Sequence, residues 1–252
     1  MVRSKKHLGQ HFLQDENIAR KILDCLNPDI PCVVEVGPGK GILSKYLLRD
    51  PRFDPHFIEI DPEAGAYLEQ TYPDIMDRLI LTDFLDFDLS SFPKLTLLGN
   101  FPYNISSQIL FRVIEFRDHI AEVIGMFQKE VALRLAAPPG TRTYGILSVL
   151  LGAWYQVEYL FTVPEQVFSP PPKVKSAVIR LRRNDTTHLE CDEHLFIQVV
   201  KAAFNQRRKI LRNALSGFAG KNSLTGYELN RAEQLSVPDF ICLTRELEQG
   251  II

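Results

Sequence analysis

Four short segments of this 252-residue chain carry residue types that could hold a small ligand and act on an amine. The run Val33-Val34-Glu35-Val36 leads into Gly37-Pro38-Gly39-Lys40-Gly41, an apolar strand opening into a glycine turn ahead of a helix. A ligand there meets bare backbone. A dinucleotide fold needs its third glycine at position 42, which here is Ile; the pattern closes instead at Gly41, with Glu35 two residues before the first glycine. That spacing is the S-adenosylmethionine variant, in which backbone approaches the methionine and ribose parts of a ligand that has no pyrophosphate.

The next run, Ile58-Glu59-Ile60-Asp61, ends in two acids. Glu59, flanked by apolar residues, belongs at a crevice where a carboxylate accepts from both hydroxyls of a ribose; Asp61, just before Pro62, reads as an exposed helix cap. Thr82-Asp83-Phe84 offers a third carboxylate, suited to an adenine amino group. The most specific segment is Gly99-Asn100-Phe101-Pro102-Tyr103-Asn104. Pro102 biases Phe101 out of the helical region, so the side-chain oxygen of Asn100 and the carbonyl of Phe101 can face one way. Two such acceptors hold both hydrogens of an exocyclic amine and favour a tetrahedral nitrogen whose lone pair attacks a methyl sulfonium in line. Tyr103 supplies a face on which a base stacks.

These segments need a scaffold that brings strand ends together. Apolar runs at 32–36, 56–60, 79–81, 95–98 and 123–127 alternate with helically spaced stretches at 43–49, 62–70, 106–117 and 129–137, the pattern of a doubly wound α/β sheet. Asp15 caps a preceding helix that stops at Asn27-Pro28. Runs at 157–163 and 177–181, joined by Phe168-Ser169-Pro170-Pro171-Pro172, predict an antiparallel hairpin on the sheet edge. After Arg183 the chain turns polar and then helical, with Phe196, Val199, Val200, Ala203 and Phe204 on one stripe and a last helix at 239–247. The expected division is 1–185, a mostly parallel α/β domain, and 186–252, a small all-helical domain.

Composition excludes several classes. With 45% apolar and 24% charged residues the chain is neither disordered, collagenous nor a disulfide scaffold. The longest apolar stretch, 145–155, is short of the roughly 20 residues that cross a bilayer, and the first residues lack a signal-peptide core, so a cytoplasmic protein with no membrane partner is expected. Four scattered cysteines and no HExxH leave no metal motif. The net charge of −2 hides an uneven distribution: +3 over residues 1–21, −9 over 22–169, +6 over 170–212 and −2 over the remainder. An acidic body between basic segments suits a nucleic-acid binder, with Arg207, Arg208 and Lys209 expected on the outward side of a helix.

Taken together, Leu8-Gly9-Gln10-His11-Phe12-Leu13, Glu35 to Gly39, Ile58 to Asp61, Asp83, Asn100 to Ser106, Phe168 to Val174 and Phe204 to Lys209 resemble the ribosomal small-subunit RNA adenine N6,N6-dimethyltransferases from residue 5 to about 245. The resemblance implies a Rossmann-like methyltransferase fold and S-adenosylmethionine as cofactor. Its implied substrate is small-subunit ribosomal RNA, with a preassembled subunit as partner of a monomeric enzyme. It further implies that Gln10, His11 and Leu13 enclose the methionine end, Gly37 lines its floor, Glu59 holds the ribose and Asp83 the adenine. Asn100 then stands beside the cofactor; with Phe101 and Tyr103 it addresses the target base, and Phe168 packs on that base's other face. Two residues depart from the family, which often has Asn at His11 and Leu at Phe101. The large-subunit RNA methyltransferases that confer antibiotic resistance share the cofactor motifs but match less well at Phe168 to Pro172 and Phe204 to Lys209. A dehydrogenase has no use for Asn100 to Tyr103. A non-catalytic assembly factor has no need of an intact Glu59, Asp83 and Asn100.

Overall fold

The structure, a computed structural model, describes residues 2–218 and 226–251. Its strands are β1 (Phe12–Leu13), β2 (Cys32–Val36), β3 (Asp54–Glu59), β4 (Leu79–Leu81), β5 (Leu95–Asn100), β6 (Ile120–Gln128), β7 (Tyr155–Val163), β8 (Phe168–Ser169) and β9 (Ser176–Arg183). Its α-helices are α1 (Glu16–Leu23), α2 (Ser44–Leu47), α3 (Pro62–Thr71), α4 (Ser106–Glu115), α5 (Lys129–Leu135), α6 (Ile146–Trp154), α7 (Glu193–Asn205), α8 (Leu211–Ala214) and α9 (Val237–Ile251).

Seven strands form one sheet in the order β4-β3-β2-β5-β6-β9-β7. The five from β4 to β6 run parallel, and β9 lies antiparallel to β6 from Glu122↔Arg182 to Gln128↔Ser176. Val33, Val34, Leu97, Leu98, Val123 and Ile124 are all fully buried, as central parallel strands covered on both faces require, which is why these runs are continuously apolar instead of alternating. The chain builds outward from β2 to β4, then crosses to β5 on the other side of β2. That reversal leaves a crevice beyond the carboxyl ends of β2 and β5, where ligands of such sheets bind.

Caps fix where helices begin. Asp15 accepts from Asn17 N–H and Ile18 N–H at the start of α1, and Asp192 accepts from Leu195 N–H at the start of α7. A two-stranded ribbon of β1 and β8, with Phe12↔Ser169 and Leu13↔Phe168, ties the N-terminal segment to the loop after β7. It is too short to leave a periodic signal in the sequence.

The chain forms two compact units, 1–132 with 157–183 and 133–156 with 184–252. A single boundary at 185 assigned 133–156 to the first unit, and the structure corrects this. Helix α6 is apolar on almost every side, with Val149, Leu150, Leu151, Ala153 and Trp154 buried, so it needs a core around it. The second unit supplies that core: Trp154 meets Phe196 edge-on at 6.1 Å, and Asn184 N–H donates to the Trp154 carbonyl. Phe204 and Phe240 stack at 5.9 Å within the same unit. Among the described residues no helix is long and apolar enough to cross a membrane.

Candidate active site

A cavity of about 230 Å³ opens at the carboxyl ends of β2, β3 and β5. Its floor is the glycine turn. Gly37 and Gly39 have φ of +67° and +57°, a region costly for residues with a Cβ. A Cβ at Gly37 would meet no atom within 4 Å and would project into open space at the cavity wall, whereas one at Gly39 would lie 2.9 Å from the Phe12 ring. The turn is tied to β3 by Glu59, whose carboxylate accepts from Gly39 N–H and Asp61 N–H, each at 2.9 Å. Burial raises the Glu59 pKa while these two donors pull it back down. Each oxygen retains a further lone pair, so the carboxylate can also accept from a ribose hydroxyl. The cradle and the placed acids Glu59 and Asp83 fit S-adenosylmethionine, with bare backbone at the floor and acceptors at the wall.

Glu35 is buried behind the turn and outside the cavity lining. It accepts from Ser44 Oγ–H at 2.8 Å, and burial, reinforced by the nearby Glu59 charge, pushes its pKa up to about 8. Asp83 lines the cavity and commits one oxygen to Leu85 N–H at 2.8 Å.

On the opposite wall the Asn100 amide nitrogen donates to the His11 carbonyl at 2.7 Å. This fixes which end of the amide is oxygen. Phe101 lines the cavity, and the residue as a whole is 1% exposed; its ring is packed between Gly99 and Gly125 and against Phe127 at 5.1 Å. With the ring committed to this packing, the group it has left for a ligand is its carbonyl. Tyr103 also lines the cavity; burial raises the pKa of its phenol.

The N-terminal segment closes one side. Gln10 and His11 line the cavity. The Gln10 amide is already engaged, accepting from Lys5 N–H at 2.9 Å and donating to Asp61 at 3.1 Å. Asp61 caps α3 through Glu63 N–H but is 1% exposed and also takes the Lys5 ammonium at 2.5 Å, so it is a buried anchor and not an exposed cap. Burial alone would raise its pKa, yet Lys5 and Gln10 hold it below the usual carboxylate range.

The structure places two expected site residues outside the cavity lining and sets three expected helical cations in a turn. Leu13 and Phe168 do not line the cavity: paired across β1 and β8, they are 4% and 3% exposed in the same core as Met126 and Val178. Successive residues of a strand face opposite ways, so Phe12 turns to the glycine turn and Leu13 inward. Arg207, Arg208 and Lys209 follow α7 in a turn and are not on the helix. Arg207 is half-buried, 3.5 Å from Glu233 and bonded to the Thr141 carbonyl, while Arg208 and Lys209 are exposed.

Sequence reading assigns no role to Gly9, which it quotes only as part of a motif, and passes over Gly125 and Ser176. A Cβ on Gly9 (φ +64°) would lie 2.4 Å from Asn104 Oδ1, so this glycine lets the N-terminal loop press on the Asn100 segment. Gly125 makes room for the Phe101 ring, and Ser176 bonds Tyr103. The partners in each case are remote in sequence, and no local pattern marks them.

Residues 1–247 match the ribosomal RNA adenine dimethylase family. A relative from Cytophaga hutchinsonii named ribosomal RNA small subunit methyltransferase A is 53% identical over 252 residues, covering 98% of this chain and 98% of its own. One of the same name from Bacteroides thetaiotaomicron is 53% identical, covering 100% and 96%. Among solved structures, a dimethyladenosine transferase from Plasmodium falciparum shares the fold with a TM-score of 0.80 at 23% identity, over 96% of this chain and 99% of that one. A 23S rRNA methyltransferase gives 0.68 at 25% identity over 92% and 99%.

Proposed function

The chain belongs to the ribosomal RNA adenine dimethylase family, and we propose that it transfers methyl groups from S-adenosylmethionine to N6 of two adjacent adenines near the 3′ end of small-subunit ribosomal RNA. The product is dimethyladenosine, and the substrate is the preassembled subunit. The observation that carries the site assignment is the Asn100 amide, held by the His11 carbonyl at the edge of a cavity whose floor is a glycine turn.

In this reading Gly37 leaves room for the methionine part of the cofactor, Glu59 holds its ribose, Asp83 its adenine amine, and Gln10 and His11 close the side. When bound, S-adenosylmethionine supplies a methyl group on a positively charged sulfur, and the thioether leaves. Asn100 Oδ1 and the Phe101 carbonyl accept the two hydrogens of the target amine and turn its lone pair toward that methyl group, with the base stacked on Tyr103. Geometry supplies the acceleration. The methylated nitrogen of an aromatic amine releases its proton to water, so no side chain is required as base. Arg208 and Lys209 contact phosphates, which positions RNA without reading its sequence.

Labelled S-adenosylmethionine incubated with immature small subunits and with naked ribosomal RNA tests this. Label should appear as dimethyladenosine at two adjacent adenines, faster on subunits. Asn100→Ala should lower the single-turnover rate by roughly two orders of magnitude, the scale for one preorganised contact to a transition state, with a much smaller change in cofactor affinity. A rate within a few-fold of wild type would remove Asn100 from the chemistry.

A further inference from the structure

The Tyr103 ring is held at two points, both outside its own loop. Its hydroxyl lies 2.5 Å from Oγ of Ser176, a fully buried residue at the start of β9 in register with Gln128. One face of the ring lies on the His11 imidazole, with centroids 5.5 Å apart and planes 28° from parallel. That imidazole is itself fixed, since Nδ1 stands 2.8 Å from the Pro170 carbonyl. A carbonyl only accepts, so Nδ1 carries the proton in this bond. The His11 carbonyl meanwhile orients Asn100, so one residue touches both the stacking ring and the amide. With its pKa raised by burial, the Tyr103 phenol stays protonated at neutral pH and keeps its bond to Ser176.

We propose that Ser176 and His11 are positioning residues for base capture, a two-point clamp that fixes the place and tilt of the Tyr103 ring. His11 covers one face, so a base stacks on the other and its amine arrives beside Asn100. The proposal rests on the methyl-transfer reading above. Its physical basis is preorganisation: a ring free to swing must be immobilised each time a base binds, and a misplacement near 1 Å can cost about a hundredfold in rate. An Asn at position 11, which the family resemblance leads one to expect, has no ring to lay on Tyr103. In this chain the stacking half of the clamp therefore comes from His11.

The test compares wild type, Ser176→Ala, Tyr103→Phe and their double variant in methylation of immature small subunits, with cofactor affinity measured separately by calorimetry. Tyr103→Phe keeps the ring and removes the same bond from the other side. Each single variant should lose about five- to tenfold in kcat/KM for the subunit, the worth of one neutral hydrogen bond, with S-adenosylmethionine affinity within twofold of wild type. The double variant should be no worse than the poorer single, because both remove one contact. Ser176→Thr should restore the rate. His11→Ala should lose at least as much kcat/KM for the subunit as Ser176→Ala, and His11→Phe, which restores a ring against Tyr103, should recover part of it.

Wild-type kinetics in Ser176→Ala, additive losses in the double variant, or a loss confined to cofactor affinity would each overturn the clamp. Should Ser176→Ala fail to fold, Tyr103→Phe decides alone: wild-type kcat/KM overturns the clamp, and the stated loss with intact cofactor affinity supports it. A wild-type chain that transfers no methyl group would instead refute the underlying reading, and the clamp with it.

Discussion

A single methyl group placed on Gly125 should lower activity by displacing a ring, without touching any ligand. Gly125 lies in β6 and does not have a positive φ, so alanine suits its backbone. The obstacle is space: a Cβ there would stand 2.4 Å from Cε2 of Phe101 and 2.6 Å from Cε2 of Phe127. Both rings are buried, at 1% and 0% exposure, and the far edge of Phe101 already rests on Gly99. Carbon atoms need about 3.5 Å, so the Phe101 ring must retreat by about 1 Å. Overpacking of this kind costs about 1–3 kcal/mol; at about 2 kcal/mol the melting temperature of a protein this size falls by roughly 4–8 °C. The carbonyl of the same residue is one of the two proposed amine acceptors, so the single-turnover rate should fall by about tenfold or more, while cofactor affinity, set on the opposite wall, holds. Adding Phe101→Leu removes both Cε atoms and should recover part of the rate and the stability. The assays are a thermal melt, calorimetry with S-adenosylmethionine and single-turnover methylation. Wild-type melting and rate in Gly125→Ala, or a double variant no better than the single, would show that the ring does not set the carbonyl.

Glu59→Ala should weaken S-adenosylmethionine by at least about a hundredfold in calorimetry, since hydrogen bonds to a charged group are worth about 1.5–3 kcal/mol each; unchanged affinity would take the ribose away from this residue. Glu35 keeps its proton in the folded chain up to about pH 8 but ionises near pH 4.5 once unfolded, so its contribution to stability declines as pH rises through that window. Denaturant melts should therefore show Glu35→Gln level with wild type near pH 5 and up to a few kcal/mol more stable at pH 8, and parallel curves would contradict the buried acid. Replacing Arg208 and Lys209 by Ala should reduce the slope of log affinity for RNA against log salt by about 1.5 and leave cofactor binding alone. Arg207→Ala should act mainly on the melting temperature, because its guanidinium is engaged with Glu233 and Thr141.

The parts of this molecule that could be read in advance are those whose physics is local. The strands β2, β5 and β6 showed as apolar runs because both faces are buried. Asn100-Phe101-Pro102-Tyr103 showed because proline constrains its neighbour and only certain side chains can accept from an amine. Glu59 stood out as an acid between apolar residues. The features that escaped are set by packing between distant segments. Ser176 carries no signal of its own until β9 places it against Tyr103, and Gly125 none until Phe101 fills the space above it. The charge of Arg207 to Lys209 was legible, but not the end of α7 at Asn205, which turns one of these cations inward. For Leu13 and Phe168 the family likeness gives residue identity without facing direction, and direction in a strand as short as β1 depends on its partner.

The end of β3 shows how these scales join. Glu59 and Asp61 are two residues apart, yet they serve different parts of the site. Glu59 accepts from the glycine turn and so sets the floor, while Asp61 accepts from Lys5 and Gln10 and so anchors the segment that closes the side. Glu59 also accepts from Asp61 N–H, which links the two directly. The anchored segment continues to His11, whose carbonyl orients Asn100 and whose ring meets Tyr103. A continuous set of bonds thus runs from the proposed ribose acceptor, through the N-terminal strap, to the proposed amine acceptors. Two consecutive methylations of the same nitrogen need both substrates held in a constant relation while one hydrogen of the amine is replaced by a methyl group. A chain of short, mostly shielded hydrogen bonds maintains that relation better than flexible side chains reaching in from solvent.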